Sequence, residues 1–364
     1  MITIPGTRVG IRKLDRHSHI CSLLELEGPL LSLYSDGRNN WLYLWCDTDG
    51  PDRTRWLLFV ASRPLLVAYL ERRISLLDVV AEAPQLLVLD EMHGITAEGE
   101  ARTSRTLRRP SSLSMLAGYL PTDKSFFDPE LAPEIELARE LLPEKFAVPI
   151  DSDQWFAVDF NNFFKSYQRI YSFLYASRPR FVTTVKSRME ELLRAPWTGG
   201  FSRVNFFSAL PEVVPAIHAL RVPKMQYASP GDIEFEALAS VGGAVRASVL
   251  RYIQFEAEIE RSLQSVKATL TTMKLNKRDL STSNDLELEL PEGRLNHLKE
   301  KCFAIGASLG LEEEFSSLAE CSPNTIVHSK AVAGLITQLQ YLAAFQSEGM
   351  LDLERVSAAA SLAP

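Results

Sequence analysis

The most regular stretch of the sequence is ALASVGGAVRASVLRYIQFEAEIERSLQSVKATLTTM (residues 237–273), which contains no proline. Its apolar residues recur with a 4-3-4-3 spacing that is interrupted only at Glu256. This spacing places them along one side of a helix, and at ~1.5 Å rise per residue a single helix would extend roughly 55 Å. The residues of this helical seam are Val245, Val249, Tyr252, Ile259, Leu263, Val266, Leu270 and Met273.

The helical seam must be buried against other helices, because a long apolar stripe is unstable in water. Two arrangements satisfy this requirement: a bundle with residues 295–348 of the same chain, or a seam shared with another chain. Glu256 faces the seam in either arrangement and lowers stability unless it is paired or lies at the margin. For the second arrangement, the predicted contact residues are Val249, Tyr252, Ile259, Leu263, Val266 and Leu270.

The composition is that of an ordinary globular protein. With 364 residues, 46% of them apolar and 23% charged, the chain is long enough for roughly two or three domains with real cores. The formal net charge of −7 disfavours a general nucleic-acid coat protein, which would be basic, but it leaves room for a local basic patch.

Cysteine use and the start of the chain indicate a cytoplasmic protein. The four cysteines are widely separated and form no C-x-x-C pair, which disfavours a zinc ribbon and a disulfide scaffold. The first residues, MITIP, lack the basic and apolar regions of a signal peptide. No stretch of ~18 uncharged apolar residues occurs, so we expect no membrane span and no membrane partner.

Short apolar or alternating runs near the N-terminus predict an antiparallel meander, and therefore an α+β protein. Both faces of the run at 41–46 are apolar, which is typical of a central strand. Pro64 suits the first turn of a helix that follows the meander. The strands predicted in this region are residues 20–27, 29–34, 41–46, 56–61 and 85–89.

A second α+β region and a helical region follow in the sequence. Helical spacing is clear at 160–175 and again at 326–345. The strands predicted here are residues 155–159, 203–207, 220–227 and 233–237. The predicted domains are an antiparallel-sheet α+β domain at 1–110, a second α+β domain at 111–236 and a helical assembly region at 237–364.

The run LLVLDEMH (residues 86–93) has the form of a Walker B strand, in which acids hold magnesium and polarise water. The acids of this run are Asp90 and Glu91. A P-loop of the form G-x-x-x-x-G-K-[ST], which such a site requires, does not occur in the sequence. A buried strand with a solvated acidic end is therefore the simpler interpretation.

Asp15, His17 and His19 form the pattern D-x-H-x-H, in which alternate strand residues direct two imidazoles at one metal ion. A metal-dependent hydrolase of this type needs further ligands, and none of the four other histidines has a matching context. A nuclease built on Asp159 lacks the [DE]-x-K strand that completes such a site. We assign no catalytic, cofactor or metal residues from these patterns.

Residues 94–112 combine arginines with Ser, Thr and Gly and have little apolar content, which predicts an exposed, flexible, basic loop. Aromatic residues are not interleaved with the arginines, so the sequence does not predict a stacking platform for single-stranded nucleic acid. A solvated loop is the simpler interpretation of this charge. The candidate phosphate contacts are Arg102, Arg105, Arg108 and Arg109.

Three phrases resemble a family of bacterial proteins of unknown function. They are YL (residues 69–70) followed by ISLLD (residues 74–78), YLPTDKSFFD (residues 119–128) and the SPG turn (residues 229–231). Some members of that family are encoded in anti-phage defence gene clusters, beside ATPases or nucleases. The resemblance implies a bacterial cytoplasmic protein that works with partners, and it transfers no catalytic residues.

These patterns favour a non-enzymatic sensor or scaffold subunit of a multi-protein bacterial complex, with anti-phage defence as the setting that the resemblance implies. The expected partners are other protein subunits, such as an ATPase or a nuclease, or further copies of the chain. Nucleic acid is a less favoured partner, and no cofactor is expected. The alternative is a divergent metal-dependent nuclease or hydrolase built around His17 and His19, or around Asp90 and Glu91.

Overall fold

The computed structural model of the protein has an α+β fold, as the sequence predicts. The chain forms two compact units, Met1–Leu142 with Pro215–His218, and Pro143–Val214 with Ala219–Pro364. These units divide the chain at other points than the three predicted domains, which stay a prediction. The structure describes residues 6–25, 28–46, 53–95, 101–111, 140–151, 155–178, 183–195, 204–228, 231–275 and 290–355.

The first unit is built on a seven-stranded antiparallel sheet. Its strands are β1 (Gly6–Val9), β2 (Ser18–Glu25), β3 (Pro29–Ser35), β4 (Asn40–Cys46), β5 (Arg53–Ala61), β6 (Leu86–Ile95) and β7 (Ala101–Pro110). Their order across the sheet is β1-β7-β6-β5-β4-β3-β2. Because β2 to β5 pair in sequence order, the predicted meander is confirmed.

The central strand β4 is buried on both faces, as its apolar pattern predicts. On one face, Trp41 and Tyr43 join Leu58, Leu87 and Leu107 in a hydrophobic cluster, and we call this the inner face. Leu42 and Leu44 lie on the opposite face and are also buried. Helices α1 (Arg63–Leu70) and α2 (Leu76–Ala81) follow β5, and Pro64 lies in the first turn of α1 as predicted.

β1 and β2 are consecutive in the chain but lie at opposite edges of the sheet. Only residues 10–17, the crossing segment, join them, and most of this segment is a 3₁₀ turn, Ile11–Arg16. Across a flat sheet, strand spacings of ~4.8 Å would separate these edges by ~29 Å, whereas a 3₁₀ turn rises only ~2 Å per residue. The sheet must therefore curve. The crossing segment packs Ile11 and Leu14 onto the inner face.

The predicted basic loop at 94–112 is mostly strand, so this prediction is wrong. β6 extends to Ile95, and β7 pairs with β6 on one side and with β1 on the other. Leu107 is buried, but the other positions from 102 to 109 are Arg, Ser or Thr. Backbone pairing on both sides, and not apolar alternation, holds this strand in place, and such pairing leaves no local signal.

The second unit contains a three-stranded antiparallel sheet and a helical bundle. Its strands are β8 (Glu144–Ile150), β9 (Arg221–Gln226) and β10 (Gly231–Ala237), in the order β8-β10-β9. Its described helices are α3 (Ala157–Ser177), α4 (Thr183–Arg194), α5 (Val204–Ala209), α6 (Ala239–Gln254), α7 (Glu256–Thr272), α8 (Glu292–Leu309), α9 (Glu312–Cys321) and α10 (Thr325–Ser347). None of these described helices combines the length and the apolar character that a bilayer crossing requires.

Several element predictions for this unit are confirmed and two are wrong. The strands at 220–227 and 233–237 and the helices at 160–175 and 326–345 are present as β9, β10, α3 and α10. The strand predicted at 155–159 is wrong because α3 begins at Ala157, where the Asp159 carboxylate accepts the Phe156 backbone N–H at 2.9 Å. The strand predicted at 203–207 is also wrong, since α5 occupies Val204–Ala209. Aromatic and β-branched residues favour strands locally, but packing in the helical core decides otherwise.

The predicted single helix over 237–273 is two helices. Phe255, at φ −112° and ψ 22°, separates α6 from α7. The break coincides with the interruption of the apolar spacing at Glu256, which lies in the first turn of α7. The interruption in the pattern therefore marks a break between two helices, and Glu256 is exposed there and does not lie within a continuous seam.

The helical seam is buried within the second unit itself. α7 packs along α8, and α6 packs against α10 and α3. All six predicted contact residues belong to the core of this unit and are 2% exposed or less. Their burial agrees with the predicted bundle within the same chain. The predicted seam with another chain stays a prediction, and the burial of these residues does not favour it. These residues are Val249, Tyr252, Ile259, Leu263, Val266 and Leu270.

We expect Ile259→Asp combined with Leu263→Asp to lower the free energy of unfolding by at least ~3 kcal/mol, because both carboxylates would be buried among apolar side chains. Chemical denaturation followed by far-ultraviolet circular dichroism measures this loss. Gln264→Asp, at an exposed position of the same helix, is the matched control and should change the free energy by less than ~0.5 kcal/mol. A double variant that keeps wild-type stability but changes its oligomeric state would show that the seam contacts another chain.

Candidate functional site

Asp90 is held between two arginines of the neighbouring strand. Its Oδ1 accepts a hydrogen bond from Arg55 Nε at 2.7 Å and lies 3.1 Å from Arg53 Nη2. The side chains of Asp90 and Arg55 are only 9% and 3% exposed. A buried carboxylate that two guanidinium groups already neutralise is poorly suited to hold a magnesium ion. Asp90 therefore has a structural role in the sheet.

Glu91 does not join Asp90 in a common site. Successive residues of a strand point to opposite faces, so the two carboxylates diverge. Glu91 pairs instead with Arg105 of β7, with 2.8 Å between Oε1 and Nε. The two acids of the Walker B pattern thus form three ion pairs, of Asp90 with Arg53 and Arg55 on one side of β6 and of Glu91 with Arg105 on the other.

The two histidines of the D-x-H-x-H pattern pack against aromatic rings of the inner face. His17 Nδ1 lies 2.8 Å from the Tyr43 hydroxyl, and the His17 ring lies 4.6 Å from the Trp41 ring. His19 makes an edge contact with Tyr34, with 5.1 Å between ring centroids. Burial lowers the pKa of both imidazoles. The neutral rings serve as packing groups here, since they form part of an aromatic cluster.

The remaining candidates for a metal site are dispersed. His218 and His328 are buried in different units, and His93 contacts the hydroxyls of Thr54 and Thr103. Asp159 caps a helix. Among the residues that the structure describes, no group of three or more His, Cys, Asp or Glu side chains is placed to hold a metal ion.

The cysteines offer no activated thiol in their described surroundings. All four are free. Burial raises the pKa of the Cys21, Cys46 and Cys302 thiols to about 12. Because the thiolate is the nucleophile, such thiols are unreactive near neutral pH.

Strand β7 distributes the four predicted phosphate contacts over both faces of the sheet. By strand alternation, Arg105 and Arg109 share the inner face with Leu107, while Arg102 and Arg108 share the opposite face. Arg105 is engaged with Glu91. The four residues therefore do not form one cluster, but all four lie on the strand next to the sheet edge.

Two arginines face each other across the edge of the sheet. Arg8 of β1 lies directly opposite Arg108 of β7 in the strand register. Like charges at directly opposed positions destabilise a strand pair. The buried Nε of Arg108 has no hydrogen-bond partner in the described part of the chain. This arrangement is unfavourable for the protein alone and becomes favourable when an anion bridges the two guanidinium groups.

Further cations surround this pair on adjacent elements. Asp15 is the one acid on β1, the 3₁₀ turn and β7. The strand connections 47–52 and 96–100, which lie outside the described residues, carry five acids by sequence, so the positive charge is confined to these three elements. Apart from the half-buried Arg108, all these cations are exposed. We call the set the basic edge: Arg8, Arg12, Lys13, Arg16, Arg102, Arg105, Arg108 and Arg109.

The sequence indicated only half of the basic edge. The four arginines of β7 are conspicuous because they are close together in the chain. The sequence alone did not show that four cations near the N-terminus lie beside β7, because most strands of the sheet separate them from β7 along the chain. These cations are Arg8, Arg12, Lys13 and Arg16. The sequence does contain one indication of a basic surface here, since residues 8–16 include four cations in nine positions.

A search for related proteins found no matching protein family. It also found no matching curated protein. No solved structure matches the chain. The resemblance to a bacterial family of unknown function therefore stays a prediction. Of its three phrases, residues 69–78 belong to α1, α2 and their connection, whereas residues 119–128 and residues 229–230 of the SPG turn lie outside the described part of the chain.

Asp90→Asn should lower the free energy of unfolding by ~3–5 kcal/mol, because it leaves two buried or nearly buried guanidinium groups without their anion. Glu91→Gln is the matched control on the same strand and should cost less than ~1 kcal/mol, since Arg105 is well exposed. Urea denaturation of both variants gives the comparison. Equal stability of the two variants would contradict a structural role for Asp90.

The buried imidazoles should make the protein less stable in mild acid. Burial lowers the pKa of His218 and of His328 from 6.5 to about 4. Between these values the unfolded chain binds protons that the folded chain excludes, so the free energy of unfolding falls as the pH drops below 6.5. We expect a loss on the order of 2 kcal/mol per imidazole between about pH 7 and about pH 5.

Denaturation midpoints measured across this pH range test the expectation. His328→Gln keeps a hydrogen-bond donor but cannot be protonated, so the variant should lose about half of the pH dependence that His218 and His328 contribute together. An unchanged pH dependence in this variant would show that His328 does not exclude the proton.

Proposed function

We propose that the protein is a non-enzymatic binding subunit that recognises nucleic acid through its basic edge. The observation that carries this proposal is the register of β1 and β7, which holds Arg8 opposite Arg108 without a described anion. Phosphate groups are suitable partners because a guanidinium group donates two parallel hydrogen bonds to phosphate oxygens. The other cations of the basic edge provide further contacts along a phosphate backbone.

Arginine content suits a ligand that carries phosphate groups. Seven of the eight cations of the basic edge are arginines, and arginine is the side chain of choice for planar, bidentate phosphate recognition. The protein as a whole is acidic, with a net charge of −7, so it is not a general coat protein. A local site of this kind is what a sensor needs, because it limits binding to one edge of the sheet.

The wider setting remains part of the proposal. A sensor that binds nucleic acid fits a multi-protein bacterial defence complex in the cytoplasm, which is the setting that the family resemblance implies. Partner subunits would have to contact surfaces other than the helical seam, since the seam is buried. The alternative, a metal-dependent nuclease or hydrolase, loses support because Asp90 is engaged with arginines and His17 with aromatic rings.

Binding of a fluorescently labelled nucleic acid of mixed sequence, measured by anisotropy over a range of salt concentrations, tests the proposal. The wild-type protein should bind with an affinity that falls as salt rises. Arg8→Gln combined with Arg108→Gln should weaken binding about 10-fold or more and reduce the magnitude of the salt slope by about 1 for each lost phosphate contact. The double variant should unfold at the same temperature as the wild type or higher, since it relieves the opposed charges.

Arg73→Gln is the matched control, because Arg73 is also an exposed arginine of the first unit but lies after α1, paired with Glu71. It should leave binding unchanged. Wild-type protein that binds polyglutamate but no nucleic acid, or a double variant that binds nucleic acid as the wild type does, would refute the proposal.

A further inference from the structure

Two tryptophans lie side by side on the inner face of the seven-stranded sheet. Trp45 of β4 is directly opposite Trp56 of β5 in the strand register. Trp45 is 38% exposed, whereas Trp56 is half-buried and packs against the cluster of the inner face. An exposed large ring beside a second ring provides a flat surface for another ring.

One row of the strand register leads from the tryptophan pair to β7 and β1, the two strands that carry the basic edge. From Trp56 the row continues through Leu89 of β6 and Leu107 of β7 to Val9 of β1. Four strand spacings of ~4.8 Å separate Trp45 from β1, a path of ~19 Å along the sheet. A strand of nucleic acid a few nucleotides long spans this path, so the tryptophan pair and the inner-face cations of the basic edge, Arg105 and Arg109, are within reach of one ligand. Arg8 and Arg108 lie on the opposite face, at the outer margin of the sheet, and contact the strand only where it passes beyond β1.

The crossing segment brings cations to the same face. Ile11 and Leu14 pack on the cluster that Trp56 also contacts. Arg12 and Lys13, between these two anchors, are exposed. Glu91, an acid of the inner face, is neutralised by Arg105, while the three acids of the β4–β5 connection, residues 47–52, lie outside the described residues. The inner face therefore carries both the tryptophan pair and the exposed cations of the crossing segment, although the two groups are far apart in sequence.

We propose that the ligand of this surface is a single-stranded nucleic acid, whose phosphates lie on the basic edge and whose bases stack on Trp45 and Trp56. This inference rests on the proposed function and adds the class of nucleic acid. Unpaired bases present free ring faces that stack on aromatic side chains with little dependence on sequence. In a duplex the bases are stacked on one another, so the tryptophans gain nothing from it.

The test compares one labelled oligonucleotide of about 16 nucleotides, an upper site size for such surfaces, with the duplex that it forms with its complement. The wild-type protein should bind the single strand about 10-fold more tightly than the duplex. Trp45→Ala should weaken binding of the single strand about 10-fold and leave duplex binding unchanged, while Trp45→Phe should restore most of the affinity. Trp45 is the residue of choice because it is the more exposed of the pair.

Tyr341→Ala, which removes a 53% exposed ring from α10, is the matched control and should bind the single strand as the wild type does. Equal affinity for single strand and duplex, together with no effect of Trp45→Ala, would overturn the inference. The proposed function would survive that result if Arg8→Gln with Arg108→Gln still weakened binding of both ligands, so the two failures are distinguishable.

Discussion

The shape of the sheet in the first unit depends on a short connection between its two edge strands. Strands β1 and β2 lie at opposite edges of a seven-stranded sheet, yet only residues 10–17 join them. The sheet must curve for so short a segment to cross it, and the segment then covers part of the inner face with Ile11 and Leu14. Since the same crossing places Arg12 and Lys13 above that face, the geometry of the connection determines where the positive charge lies.

Arginine has two different roles in this sheet, and the difference depends on the presence of an acid in the facing strand. Arg53 and Arg55 meet Asp90, so their charge is satisfied inside the fold. Arg8 meets Arg108, and no acid lies between them in the described register. A buried pair of opposite charges holds two strands together, whereas an opposed pair of like charges weakens the edge unless something outside the chain binds it.

An element could be predicted from the sequence where side-chain burial defines it, and could not be predicted where backbone pairing with other strands defines it. Strand β4 was predicted because both of its faces are apolar, and burial leaves that pattern in the sequence. Strand β7 was not predicted, because its position depends on backbone hydrogen bonding to β6 and β1. The helical seam was predicted from its spacing, and even its interruption at Glu256 marked the break at Phe255, but the pattern could not say which helices would cover it.

The sequence by itself determined the α+β class, the meander, the residues of the helical seam and the arginines of β7, because each of these leaves a local periodic or compositional pattern. Only the tertiary structure decided that Asp90 is neutralised by arginines, that Arg8 faces Arg108, and that Trp45 and Trp56 share one row of the register with Leu107 and Val9 of the two strands that carry the basic edge. These facts depend on pairing between strands that are up to about a hundred residues apart, and the side-chain pattern of a single strand carries no record of its partner.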